Sequence, residues 1–265
     1  MSSDNTPALV LTERKGAALW ITINREERRN ALNPQVLAEL EAAVESAQHM
    51  PGIRALVITG AGPKAFCAGA DLTRGTGVFT EGFDEPTTDF GRLARAVRAS
   101  CLPVIARING DCVAGGMAIM SLCDLAVVAE HARFGLPEAK VGVFAMQVLV
   151  YLRKMIHPRH VNELCLTGRL IDARRAESIG IANRVVPAGE LDAATEELVA
   201  SVSNMSPVAL RRGKYAIAAM ESMGWHEALA FAETQIAVAS NTNDAREGLA
   251  AFNEKRPPAW QGGAR

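Results

Sequence analysis

"RINGDCVAGGMAIMSLCD", residues 107–124, holds the features that decide how this chain folds. An apolar strand ends at Ile108, Asn109-Gly110 turns the chain, and Gly115-Gly116 opens a helix of small and apolar residues that carries no charge until Asp124. A strand that feeds a helix through a glycine pair is the pattern of an α/β chain. The first N–H groups of such a helix have no partner inside it, and glycine lets another backbone or a ligand come close to them.

The same alternation extends outward. Residues 9–11 and 18–23 read as strands. Asn33 followed by Pro34 predicts a helix start, with Val36, Leu37, Leu40, Val44 and Ala47 on one face until Pro51-Gly52 ends it. "RALVITG", residues 54–60, is a continuous apolar run, as expected of a strand covered on both faces. Helices are predicted at 89–100 and 115–122, strands at 103–108 and 125–130, and a short strand near Phe134. Further helices follow at 144–155 and 158–168, the second stopped by Gly168. Asp172 caps another that Gly180 stops, and 181–187 returns as a strand. A mainly parallel α/β core is therefore expected up to about residue 195. From Ser206-Pro207 onward only helical patterns remain, and such a tail is expected to pack against another subunit. The Gly- and Thr-rich stretch 73–88 shows no periodicity and is expected to be a mobile loop beside a site.

Composition narrows the class. The 265 residues are 49% hydrophobic and 22% charged with a net charge of −1, which gives no reason to expect a nucleic-acid or membrane partner. Five cysteines, an odd number without a C-x-x-C pair, suggest free thiols in a reducing cytoplasm, and no His or Cys spacing suggests a metal site. The first residues lack a secretory pattern, and the longest apolar run, 113–129, is broken by Asp124 and falls short of a membrane span.

Three stretches invite chemical readings. "GAGPKA", residues 60–65, formally fits a dinucleotide fingerprint, but Pro63 and the glycines behind it leave no room for the helix that must face a pyrophosphate. "FCAGADL", residues 66–72, and "VAGGM", residues 113–117, each place small residues around a glycine just past a strand. On neighbouring strands the two would aim two backbone N–H groups at one oxygen, which is an oxyanion hole. Each alone is equally compatible with a tight turn packed against a helix.

Taken in order, "INREERRNAL", "AFCAGADL", "RINGDCVAGGM", "CDLAVVAEHARFGLPEAKVG", "LTGRLIDARRAESIGIANRVVP" and "AFNEKRPPAW" make nearly the whole chain resemble the crotonase (enoyl-CoA hydratase/isomerase) superfamily. The resemblance implies a ββα spiral core that binds acyl-CoA, residues 1–195, and a C-terminal helical trimerisation segment, residues 196–265, in a homotrimer or a dimer of trimers. By position, Ala70 and Gly115 would supply the two oxyanion-hole N–H groups and Glu138 the acid/base. Ala31, Ala68, Gly69, Asp71 and Leu72 would line the CoA, with Arg28 and Arg29 near its phosphates. Phe252 and Lys255 would approach the CoA of a neighbouring subunit. No cofactor is implied beyond the CoA that the substrate carries.

Two departures complicate that picture. Hydratases of the family commonly carry a second glutamate where this chain has Ala118, and a methyl group cannot titrate. A glycine-rich turn of the family is replaced by "VFAMQ", residues 143–147, whose bulkier side chains would reshape the acyl pocket. Asp111 is a candidate substitute carboxylate, more simply read as a turn residue, and Gln147 would orient a water without acting as a base. The expected activity is hydration of a branched or glutaconyl-type 2-enoyl-CoA. Alternatives are Δ3-Δ2 enoyl-CoA isomerisation through the single Glu138, and acyl-CoA binding without turnover. A hydrolase is disfavoured, because no serine sits in a nucleophile motif and His131 and His157 have no evident partner.

Overall fold

A computed structural model describes residues 8–73, 75 and 87–261. Strands β1 (Val10–Lys15) and β2 (Ala18–Ile23) form an antiparallel pair, and α1 (Pro34–Ala47) follows, capped by the Asn33 side chain and started by Pro34. β3 (Ala55–Gly60) pairs in parallel with β2, and the chain then turns into β4 (Ala65–Cys67), which begins a second sheet. The unit repeats. After α2 (Asp89–Ala99), β5 (Val104–Ile108) joins the first sheet and β6 (Asp111–Val113) the second, before α3 (Gly115–Leu122). β7 (Leu125–Ala129) and β8 (Arg133–Gly135) do the same, before α4 (Met146–Met155). Each repeat gives one strand to each sheet and then a helix, the ββα spiral expected from the resemblance.

The rest of the chain closes this core. α5 (Pro158–Thr167) leads to β9 (Ile171–Asp172), α6 (Ala173–Ser178), β10 (Arg184–Val186) and α7 (Leu191–Ser203). The first sheet runs β1-β2-β3-β5-β7-β10 and the second β4-β6-β8-β9. Leu56 and Ile58 of β3 enter the main core with Phe66, Met117 and Phe134. Val57 instead faces the other side with Trp20, Ile105 and Val199 of α7, so the unbroken apolar run of β3 is indeed covered on both faces. The boundary at 195 falls inside α7, whose Leu191, Ala194 and Val199 are buried against the sheet.

Beyond α7 lie α8 (Pro207–Met220), α9 (Trp225–Ser240) and α10 (Asn243–Asn253). Lys214 holds α8 to the core, donating to Asp124 at 2.6 Å and to the Leu102 carbonyl at 2.8 Å. Neither α8 nor α9 has a buried residue, and Ile217, Trp225 and Ile236 are each at least two-thirds exposed. Among the described residues, no helix is long and apolar enough to cross a membrane.

Three short strands escaped the sequence pattern, while the expectation that no helix follows the first glycine stretch holds. Strands β4, β6 and β9 have only two or three residues, too few for an alternating pattern to show, and exist through their pairing, β4 with β6, β6 with β8 and β9 with β8. "GAGPKA" leads into β4, with no helix behind it. A Cβ on Gly60 would lie 2.3 Å from the Phe66 carbonyl oxygen, so this glycine lets the chain fold back on itself. Most of the 73–88 loop lies outside the described residues.

Candidate active site

The parallel strands β4, β6 and β8 lie side by side. Ala70 comes three residues after the end of β4, Gly115 two after β6, and Glu138 three after β8. All three positions leave the same carboxyl edge, where parallel strands present ligands, and adjacent exits are separated by about one strand spacing, ~4.8 Å.

The glycines explain how closely the first two exits approach. Gly69 has φ +100°, and a Cβ there would sit 2.8 Å from the Ala114 Cβ and 3.3 Å from the Gly115 nitrogen. A Cβ on Gly116 would lie 2.3 Å from the Cys67 carbonyl oxygen. The glycine pair therefore lets α3 start directly against the end of β4. Leu32 donates to the Gly69 carbonyl at 2.8 Å, and the Asp71 N–H donates to the Leu32 carbonyl at 2.7 Å. The Gly69 carbonyl and the Ala70 N–H belong to one planar trans peptide, so the Ala70 N–H points away from Leu32. Neither this N–H nor that of Gly115 has an acceptor among the described residues. Gly115 is also the first residue of α3, where the helix dipole adds positive potential.

Ala114, just ahead of Gly115, adopts φ 52° and ψ −118°, a conformation that favours glycine. Such a residue stores roughly 1–3 kcal/mol of strain. Ala114→Gly is therefore expected to raise stability by about 1 kcal/mol after its greater unfolded-state freedom is counted. Chemical denaturation of the two proteins checks this, and an unchanged or lowered midpoint would remove the strain assignment.

Glu138 opens a 3-10 turn, Glu138–Val141, and its Oε2 is buried with no hydrogen-bond partner among the described residues. Burial raises its pKa above the ordinary glutamate value, opposed by a bond from its own backbone N–H. Cys165 of α5 stands close by. Burial first, and the Glu138 charge second, push its thiol up to about 11, so it is a neutral neighbour. Ala118 is 2% exposed and offers only a methyl group.

Other candidate groups are engaged elsewhere. Asp111 begins β6, at the opposite end from Gly115, and accepts two bonds from Arg133 at 3.0 and 2.6 Å. Gln147 donates to Thr88 at 2.8 Å. His131 contacts the Pro63 carbonyl, and His157 caps α5. No cluster of three or more His, Cys, Asp or Glu that would hold a metal occurs among the described residues.

The residues assigned to CoA fall into two groups. Segments 29–32 and 68–71 run together, with Ala68 donating to the Arg29 carbonyl at 3.0 Å and Leu32 bridged to Ala70. Ala31 and Ala68 are half-buried on this joint, Leu72 is exposed, and Arg28 and Arg29 are exposed without an ion pair among the described residues. Phe252 and Lys255 sit apart from this group in sequence, exposed at the end of α10. Asp71 is not a free carboxylate. Hydrogen bonds from Thr73 and Arg25 hold its pKa down at about 2, and Arg25 pairs with it at 2.9 Å. Sequence reasoning overlooked Arg25. It also overlooked Asn30, whose fully buried amide donates to the Ala61 and Ala65 carbonyls. Their place in "INREERRNAL" was visible, but their partners, 31 to 46 residues away, were not.

Comparison with known proteins agrees with this fold. The family model for enoyl-CoA hydratase/isomerase matches residues 13–263. A Thermus thermophilus protein, provisionally named an enoyl-CoA hydratase, is 37% identical over 93% of this chain and 98% of its own. The mevalonyl-coenzyme A hydratase of Aspergillus fumigatus is 32% identical over 92% of this chain and 91% of its own. The crystal structure of a Mycobacterium smegmatis enoyl-CoA hydratase superposes with a TM-score of 0.87 at 31% identity, covering 96% of this chain and 99% of that one. The ββα spiral and these matches along nearly the whole length establish that the chain belongs to the enoyl-CoA hydratase/isomerase family, as an enzyme of the crotonase superfamily.

Proposed function

We propose that this enzyme hydrates a 2-enoyl-CoA with Glu138 as its single acid/base. The observation that carries this is the buried Oε2 of Glu138 on the same strand edge as the N–H groups of Ala70 and Gly115, all three without a hydrogen-bond partner among the described residues. The thioester carbonyl oxygen accepts from those two N–H groups. Glu138 removes a proton from water as the water oxygen attacks the β-carbon, and the displaced electron pair moves onto the thioester oxygen. That enolate is what the two donors and the α3 dipole stabilise. Glu138 then returns the same proton to the α-carbon, the enolate collapses, and the carboxylate is regenerated. Burial suits both halves, since a raised pKa brings the carboxyl closer to neutrality and makes it both a better base and a usable acid.

The acyl group is a branched or glutaconyl-type chain in this proposal. Support comes from the bulky 143–147 segment in place of a glycine-rich turn, and from the name of the Aspergillus relative. Isomerisation is the second possibility, favoured by Ala118. One carboxylate suffices to take a proton from the γ-carbon and return it to the α-carbon while the double bond moves. Incubation with branched and straight enoyl-CoA esters in heavy-oxygen water, with parallel samples in deuterium oxide, separates the two. A labelled hydroxyl in the product establishes hydration. Deuterium uptake with a moved double bond and no oxygen label replaces it with isomerisation.

The same proposal extends to assembly and compartment. α8 and α9 bury none of their residues in a single chain, which suits a homotrimer or a dimer of trimers in which a neighbour covers them. Ile236→Asp is expected to lower the sedimentation mass to that of a smaller species; an unchanged mass would exclude this face from the interface. Five free thiols suit a reducing cytoplasm.

A further inference from the structure

Peptide 69–70 carries the Ala70 donor, and two strands of backbone hold it. Arg25 reaches across both. Its Nη1 donates to the Ala31 carbonyl at 2.6 Å and its Nη2 to Asp71 Oδ2 at 2.9 Å. Ala31 and Asp71 each lie one residue beyond a partner of the Leu32–Ala70 bridge, so one guanidinium spans the joint that orients the peptide. The contact is largely shielded, with the two side chains 12% and 14% exposed. The remaining Asp71 oxygen accepts from the Thr73 hydroxyl and backbone, and Asn30 accepts from the Arg25 N–H, so both ends of the clamp are themselves held.

We propose that the Arg25–Asp71 pair is a positioning element of the oxyanion hole, fixing the direction of the Ala70 N–H. On this basis Asp71 acts through the backbone and does not contact CoA. Arginine suits the task because its planar fork reaches two acceptors at once, whereas an ammonium ion is a single point of charge. The inference rests on the assignment of Ala70 as an oxyanion donor.

The test is difference infrared spectroscopy of butyryl-CoA labelled with carbon-13 at the thioester carbonyl, bound to the full chain. Wild-type protein is expected to lower the carbonyl stretching frequency relative to the free thioester. Arg25→Lys should recover only part of that downshift and lose about tenfold in kcat, with the dissociation constant for free CoA changed less than twofold. Arg25→Met should lose more of both. Should that variant fold poorly through the unpaired carboxylate, Arg25→Met combined with Asp71→Asn removes both charges and takes its place. A full downshift retained in every variant overturns the clamp alone. Loss confined to CoA affinity also overturns it, making Arg25 a binding residue. Absence of a downshift in the wild type removes the Ala70 assignment and the clamp with it.

Discussion

Glu138→Gln is expected to lower kcat by about a thousandfold, within the 10²–10⁴ range for a positioned general acid–base, while free CoA binds as before. Glutamine keeps the shape of the side chain and a hydrogen-bonding head but neither takes nor returns a proton. Steady-state kinetics with titration of CoA makes the comparison, and retained turnover would exclude Glu138 as the acid/base. The wild-type pH profile should point to the same group. Glu138 must be ionised to act as a base, so kcat/KM should fall as pH drops through its raised pKa, and this acid limb should disappear from the residual activity of the variant. Stability should move the opposite way. A carboxyl with a raised pKa in the folded protein binds more protons than it does unfolded, so stability falls as pH rises from its ordinary value through the folded one. Glu138→Gln should therefore melt higher than wild type near neutral pH, with the difference shrinking in acid. A loss of function joined to a gain of stability is what an active-site carboxylate kept without a partner predicts, and a structural glutamate would show the reverse.

Gly69→Ala carries the second large effect. The substitution meets a positive φ, an Ala114 methyl 2.8 Å from the new Cβ and the Gly115 nitrogen at 3.3 Å. Relief requires the ends of β4 and β6 to move apart, which separates the Ala70 and Gly115 N–H groups proposed as the two donors. The expected cost is about 1–3 kcal/mol of stability and a loss of roughly 10²–10³ in kcat, comparable to removing one oxyanion donor. Gly189→Ala is the control, since nothing lies within 4 Å of its Cβ position and its φ is not positive. Kinetics and denaturation of both variants read the difference. Equal, small effects would show that the two segments do not form one site.

Much of the frame was legible because it depends on neighbours in sequence. Asn33-Pro34 starts α1, Asp172 caps α6, and Gly168 ends α5 in a left-handed conformation, each through contacts within a few residues. The short strands β4, β6 and β9 were not, although β4 and β6 lead to the segments proposed to form the oxyanion hole. Asp111 shows the same limit from the other side. It lies four residues from Gly115, yet a three-residue strand puts the two at opposite ends, and Arg133 occupies its carboxylate.

What the sequence determined by itself was the set of groups that are present or missing: small residues at 68–70 and 114–116, one glutamate at 138, and a methyl at 118 where a second carboxylate would titrate. Those are properties of composition and order, and no fold alters them. Only the tertiary structure decided which groups are free to act. Glu138 keeps a buried Oε2 with no hydrogen-bond partner among the described residues, while Asp71 and Asp111 are paired with Arg25 and Arg133. The physical reason is that a carboxylate's availability is set by burial and by donors arriving from distant segments, and here those donors come from 46 residues before Asp71 and 22 after Asp111.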